Sequence, residues 1–253
     1  MREHLLPGIR ASSQSDTPGK NHARRFHAAN HTPIVSTPDS KHFAIAIDGP
    51  AASGKSTVAR LLAQRLGLVM VNSGAMYRAV TWKALGEHLD PHDSAAVANL
   101  LRRIRIECGH NGIGSTITID GVDPGDELRS EKVNANVSAI SAIPEVRDAL
   151  IGLQRGYTQH SNVVMEGRDI GSVVFPDTPY KIYIDAAEEI RAARRKAAGE
   201  VDSIASRDAA DSSRQTAPLV VAPGATRLDT SNLTIDGAVD AAIEILRHQG
   251  LKA

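Results

Sequence analysis

The chain has 253 residues, 42% of them hydrophobic, enough to bury a sizeable core in one large domain or one domain with inserts. Its 29 Lys and Arg balance 29 Asp and Glu, and the formal net charge of +0 argues against broad binding to nucleic acid or a membrane surface. The single cysteine, Cys108, rules out an intrachain disulfide framework and suits a reducing cytosol, and no apolar run has the length of a transmembrane helix.

Residues 1–40 are rich in His, Ser, Thr, Pro, Asn and Arg without sustained periodicity, which predicts a disordered tail ahead of a single domain over 41–253. A secretory signal is excluded by the lack of an apolar h-region. Arg2, Arg10, Arg24 and Arg25 fit a transit peptide, whereas Glu3, Asp16 and Asp39 do not. His22, His27 and His31 read as part of a solvated tail rather than a metal site.

The stretch that organises the chain follows. Phe43-Ala44-Ile45-Ala46-Ile47 is a short continuous apolar run, as in a parallel strand buried on both faces. Gly49-Pro50-Ala51-Ala52-Ser53-Gly54-Lys55-Ser56-Thr57 then completes a G-x-x-x-x-G-K-S match, and Val58, Leu61, Leu62 and Leu66 recur at helical spacing. The chemistry needs these residue types. Glycines allow backbone angles that let successive N–H groups turn inward around phosphate oxygens, and the following helix N-terminus adds partial positive charge. Lys55 is placed to reach the β and γ phosphates of ATP, and the Ser56 hydroxyl to hold Mg²⁺. A glycine-rich turn matching by accident does not account for both glycines, Lys and Ser in register between a strand and a helix.

Leu68-Val69-Met70-Val71 is a second buried strand, ending at the polar cluster Asn72-Ser73-Gly74-Ala75-Met76-Tyr77-Arg78, where a helix begins. Open α/β sheets bind ligands at such strand ends. Asn72 or Ser73 suits the helix cap, and Arg78 lies about one turn further on. A helix is predicted over 93–104, after which the period changes to two: Ile104, Ile106 and Cys108, then Ile117 and Ile119, flank Asn111-Gly112-Ile113-Gly114. This antiparallel hairpin opens an insert over 104–142 that runs on through Glu127-Leu128-Arg129 to a helix over 131–142. A second helix over 144–159 starts at Pro144.

Asn162-Val163-Val164-Met165 is a third buried strand with Glu166-Gly167-Arg168-Asp169-Ile170-Gly171 at its end. Two acids and an arginine beside glycines read as a site; the bland alternative is a surface ion pair. Residues 180–184 form a fourth strand ending at Asp185. Arg191, Arg194 and Arg195 then lie on neighbouring faces of one helix, and Arg207, Asp211 and Arg214 on one face of another, giving a candidate lid over 191–214. A last short strand over 226–230 precedes a closing helix with Ile235, Val239, Ile243 and Leu246 on one face. The fold class is therefore α/β: a phosphate-loop parallel sheet flanked by helices, with a small antiparallel insert and a short lid. The phosphate loop alone leaves three options: a switch using Asp185 as second Mg²⁺ ligand, a small-molecule kinase, or a non-catalytic nucleotide sensor.

From Phe43 onward the chain resembles bacterial cytidylate kinases. The matching motifs, in family order, are Ile47-Asp48-Gly49-Pro50 with Ser53-Gly54-Lys55-Ser56-Thr57, Ser73-Gly74-Ala75-Met76-Tyr77-Arg78, Glu127-Leu128-Arg129, Gly167-Arg168-Asp169-Ile170-Gly171 with Val173-Val174-Phe175-Pro176-Asp177, Arg207-Asp208 with Asp211 and Arg214, Ala217-Pro218-Leu219, and Leu228-Asp229-Thr230-Ser231. The resemblance implies ATP + (d)CMP giving ADP + (d)CDP, with Mg²⁺, in a cytoplasmic monomer without nucleic-acid or membrane partners. It implies that the loop from Gly49 to Thr57 binds ATP and that Lys55, Arg168 and Arg214 serve catalysis. Ser73, Arg129 and Asp169 would serve the cytosine side of the pocket. Arg78 and Arg168 would hold the CMP phosphate, Arg214 would reach between the two phosphates, and Arg207 and Asp211 would contact the ribose. Three features depart from the family: Asn72 stands where Asp is usual, the segment between Arg195 and Arg207 is short, and the tail has no counterpart. The first two leave open a degenerate phosphate-loop protein that binds nucleotide without efficient transfer, and a kinase for UMP/CMP or another small acceptor is a milder rival.

Overall fold

Alternation within two neighbouring strands shows where the core lies. The computed structural model describes residues 26–27, 42–112, 114–197, 208–209, 211–213 and 216–252. The first strand, β1 (Phe26–His27), precedes β2 (Ala44–Asp48), which is wholly buried. Ile45 and Ile47 point into one apolar cluster, whereas Ala44 and Ala46 point into another on the opposite face. The strand β6 (Val163–Gly167) does the same, with Val164 on one side and Val163 and Met165 on the other. Burial on both faces is why these segments read as unbroken apolar runs.

Helix α1 (Lys55–Leu66) covers one face together with the closing helix α7 (Ile235–His248), through Val58, Leu62, Val239 and Leu246. Strand β3 (Val69–Asn72) passes without a loop into α2 (Ser73–Gly86). On the other face α3 (Ser94–Leu101) packs against α5 (Pro144–Gly156), and α2 against α5 and α4 (Glu131–Ala142). Strand β7 (Lys181–Asp185) leads to α6 (Glu188–Ala197), and β8 (Thr226–Asp229) precedes α7.

With the hairpin strands β4 (Ile106–Asn111) and β5 (Gly114–Ile119), these strands form one 8-stranded sheet in the order β1-β4-β5-β3-β6-β2-β7-β8. The five strands from β3 to β8 in that order are parallel. The hairpin is not a separate body: β5 lies parallel to β3 at Met70↔Gly114, and its apolar residues Ile106, Cys108, Ile117 and Ile119 join the core. Cys108 is a buried thiol whose pKa burial pushes up to about 12, so it is a packing residue. The α3 helix stops at Leu101, short of the predicted 104: the Arg103 and Ile104 N–H groups both close onto the Leu100 carbonyl, and Arg105 already exchanges hydrogen bonds with Asp120 just past β5. The predicted 144–159 helix ends at Gly156 and closes with a 3₁₀ turn, Tyr157–Gln159. Among the described residues no helix is long and apolar enough to cross a membrane.

Candidate active site

The carboxyl ends of β2, β3 and β6 open into one cleft of about 770 Å³. One wall, expected to take the phosphate donor, is the phosphate loop. Gly54, with φ +89°, caps α1 in the left-handed region that a side chain resists. Gly49 is packed so closely that a Cβ would lie 2.0 Å from the Ile184 carbonyl oxygen. Ala51, Ala52, Gly54, Lys55, Ser56 and Thr57 line the cleft, whereas Ser53 is fully buried and its carbonyl accepts a hydrogen bond from Thr230 Oγ1 (2.9 Å). Gly49 and Pro50 form the base of the loop, and the Lys55 ammonium donates to the Pro50 carbonyl at 2.9 Å. Burial, then the neighbouring Arg168 charge, push the Lys55 pKa down to about 7. A buried cation without a full complement of anions is unstable in this way, and a bound triphosphate would supply them.

Ser56 Oγ donates to Glu166 Oε1 (2.9 Å), and Glu166 is buried at the end of β6. This hydroxyl and carboxylate, side by side at the loop, fit a divalent ion held mainly by phosphate oxygens and water. No cluster of three or more His, Cys, Asp or Glu forms a cage among the described residues, and a hydrated Mg²⁺ does not require one. The Asp185 carboxylate, the second ligand of the switch option, instead accepts from the Ala186 N–H (2.9 Å), and Asp185 is not among the residues lining the cleft.

The opposite wall, expected to take the acceptor, brings together Ser73, Arg78, Arg129, Arg168, Asp169 and Asp211, all lining the same cleft as Lys55 and Ser56. Asn72, not Ser73, caps α2, accepting from the Ala75 N–H at 3.0 Å. Ser73 is thereby released to donate to the Glu166 carbonyl (2.8 Å), which leaves its lone pairs for an incoming donor. Arg78 Nε reaches Asn134 Oδ1 at 3.5 Å, and the Asn134 amide donates to the Arg129 carbonyl (2.8 Å), tying the arginines of two elements together. Arg168 Nε pairs with Asp211 Oδ2 at 2.7 Å. Burial opposes the charge of this guanidinium, but Asp211 overrides it and raises its pKa. Arg207 and Arg214 lie outside the described residues, as do 198–206 of the predicted lid and the tail apart from Phe26 and His27.

The arginines of α6 surround the donor loop. Arg191 donates to the Ala186 and Ala51 carbonyls (3.0 and 3.4 Å) and pairs with Asp208 (2.5 Å). Arg194 is fixed by the Thr230 carbonyl (2.8 Å) and hydroxyl (3.1 Å), 3.5 Å from where a Cβ on Gly54 would lie. Arg195 is buried and lines the cleft.

One residue escaped the sequence reading. Arg147, on α5, is 1% exposed, pairs with Asp169, donates to the Ser141 carbonyl (3.3 Å) and lies over the Tyr77 ring at 5.6 Å. Its signal was available: an arginine directly after Val146 and before Leu150 and Leu153, which are all buried. A long cation on a core-facing stripe calls for an anionic partner.

The family model for cytidylate kinase matches residues 45–248. This chain belongs to the cytidylate kinase family. A cytidylate kinase of Limosilactobacillus reuteri is 40% identical over 82% of this chain and 96% of its own length. Cytidylate kinases of Streptomyces avermitilis (39% identical, 81% and 93% covered) and Geobacillus kaustophilus (40%, 83% and 98%) are similarly related. The matched region spans the donor loop, the hairpin and the acceptor wall.

Proposed function

We propose that this chain transfers the γ-phosphoryl group of ATP to CMP or dCMP, giving ADP and CDP or dCDP. The observation that carries this reading is the single cleft in which Lys55 and Ser56 face Arg78, Arg168 and Asp169. A triphosphate cradled on one wall and a monophosphate held on the other would meet in line. Family membership supports cytidine monophosphates as acceptors.

The acceptor's phosphate oxygen is already anionic at neutral pH, so no general base is required. The work is positioning and charge neutralisation. Lys55 would regain its full charge against the β and γ oxygens. Arg78 and Arg168 would hold the acceptor phosphate, with Asp211 fixing the guanidinium plane of Arg168. Ser56 and Glu166 would hold Mg²⁺, which when bound neutralises charge on the phosphates and orients them. Ser73 and Asp169 would read the cytosine edge, with Arg147 holding Asp169 in place and Arg129 closing the rim. Loss of a hydrogen-bonded exocyclic amine would leave buried groups unpaired, which is how such a site rejects other bases. Arg207 and Asp211 are assigned to the ribose and Arg214 to the transferring group by the family resemblance. The balanced charge and single cysteine support a cytoplasmic enzyme without nucleic-acid or membrane partners, and we propose a monomer.

The deciding experiment is coupled ADP release with Mg-ATP, comparing CMP, dCMP, UMP, AMP and no acceptor, with Lys55→Ala as control. Turnover that requires CMP or dCMP and disappears in the variant is expected. ATP binding without acceptor-dependent turnover would refute the kinase and favour a nucleotide-binding protein. Equal rates with UMP would keep the kinase and remove the cytosine-reading role of Asp169.

A further inference from the structure

Asp48 is the last residue of β2 and directly precedes Gly49, yet it is not among the residues lining the cleft. It is 3% exposed. Its Oδ1 accepts from the Ile170 N–H and its Oδ2 from the Gly171 N–H, both at 2.7 Å. These two amides open the π-helical turn Ile170–Val174, which follows β6 immediately after Arg168 and Asp169. Strands β2 and β6 are parallel neighbours with Asp48 opposite Gly167. One carboxylate therefore clamps the segment carrying two acceptor-side residues to the strand carrying the donor loop. Gly171 permits the close approach: a Cβ there would lie 3.3 Å from Asp48 Oδ2, the Ala222 Cβ and the Lys181 Cδ. The other charged groups acting on Asp48 are Asp169, itself neutralised by Arg147, and Lys55 across the loop.

Resting on the kinase reading above, we infer that Asp48 is a positioning residue for phosphoryl transfer: through Ile170 and Gly171 it sets where Arg168 and Asp169 stand relative to the phosphate loop. It touches neither nucleotide. A bidentate carboxylate suits the task, because two charge-assisted bonds to consecutive amides fix both the distance and the tilt of the turn. An Asn in its place can accept from one amide only and turns a donor toward the other.

The test is Asp48→Asn in the full chain, read as CMP KM and kcat by coupled assay and ATP Kd by calorimetry. The expected result is a CMP KM raised at least tenfold and a lower kcat, with ATP Kd within threefold of wild type. A merely structural role would lower the melting temperature and the active fraction while leaving both nucleotide affinities of the folded protein unchanged. That outcome, or equal losses for ATP and CMP, overturns the inference. If Asp48→Asn does not fold, Gly171→Ala pushes on the same clamp from the other side and must show the same selectivity for CMP, or the inference fails. Wild-type protein with no CMP-dependent turnover would instead remove the kinase reading and this role with it, so the two failures are distinct.

Discussion

Lys55→Met should stabilise the nucleotide-free protein while abolishing turnover. The Lys55 side chain is 5% exposed and its pKa falls from the ordinary 10.5 to about 7. At about 1.4 kcal/mol per pH unit, holding this amine in the fold at pH 7 costs about 4 kcal/mol relative to the unfolded chain, where it is fully charged. Methionine removes that cost at similar volume. It also loses the bond to the Pro50 carbonyl, about 1 kcal/mol, while the attraction to Glu166 is already contained in the shifted pKa. The net gain is about 3 kcal/mol, or about 6–12 °C in Tm for a domain of this size. The sign of the pH dependence follows from the depressed pKa. Between pH 7 and 10.5 the unfolded chain binds the proton and the folded one does not, so wild-type stability from this group rises with pH. The gap between variant and wild type should thus be fully open near pH 7 and close toward pH 10.5. Thermal melts of both proteins without nucleotide, at pH 7 and pH 9, provide the assay. A variant that melts below wild type at pH 7, or a gap that widens with pH, would refute the reasoning.

The same lysine predicts that ATP binding takes up a proton, so affinity should weaken as pH rises above about 7; calorimetry in buffers of different ionisation enthalpy would show this, and a pH-independent heat would contradict it. Arg147→Met strands a buried Asp169 and should cost about 3–5 kcal/mol, whereas Arg147→Met with Asp169→Asn should recover most of the stability without recovering CMP binding, as judged by denaturant melts and CMP titration. Ser73→Ala removes a donor to the Glu166 carbonyl and should lower CMP affinity more than stability, with a melting change equivalent to about 1 kcal/mol. Gly49→Ala should give little folded protein on expression, since its Cβ would lie 2.0 Å from a backbone oxygen in β7.

The phosphate-loop strand, turn and helix were legible because their determinants are contiguous. Gly49 to Thr57 fold by local backbone angles, and the flanking strand and helix carry their own periodicities. Local signals also placed the hairpin, the Pro144 helix start and the polar strand ends at Asn72 and Glu166. The choice of Asn72 over Ser73 as cap was open in sequence and was resolved by the Ala75 N–H in the structure.

Only the tertiary structure decided what those pieces do to one another. It joined the hairpin to the main sheet beside Met70, where Gly114 pairs with it and Ser115 accepts from the Asn72 N–H, which no local pattern encodes. It brought Arg147 to Asp169, Arg168 to Asp211 and Asp48 to Ile170 and Gly171, pairs separated by 22, 43 and more than 120 positions. It also set the unusual protonation of Lys55, because a pKa shift of that size requires burial, and burial is a property of the packed chain. Sequence alone determined the elements and the phosphate-loop motif, since both depend on neighbouring residues. The acceptor wall depends on charges meeting across strands in a low-dielectric interior, where partners are chosen by strand order and not by distance along the chain.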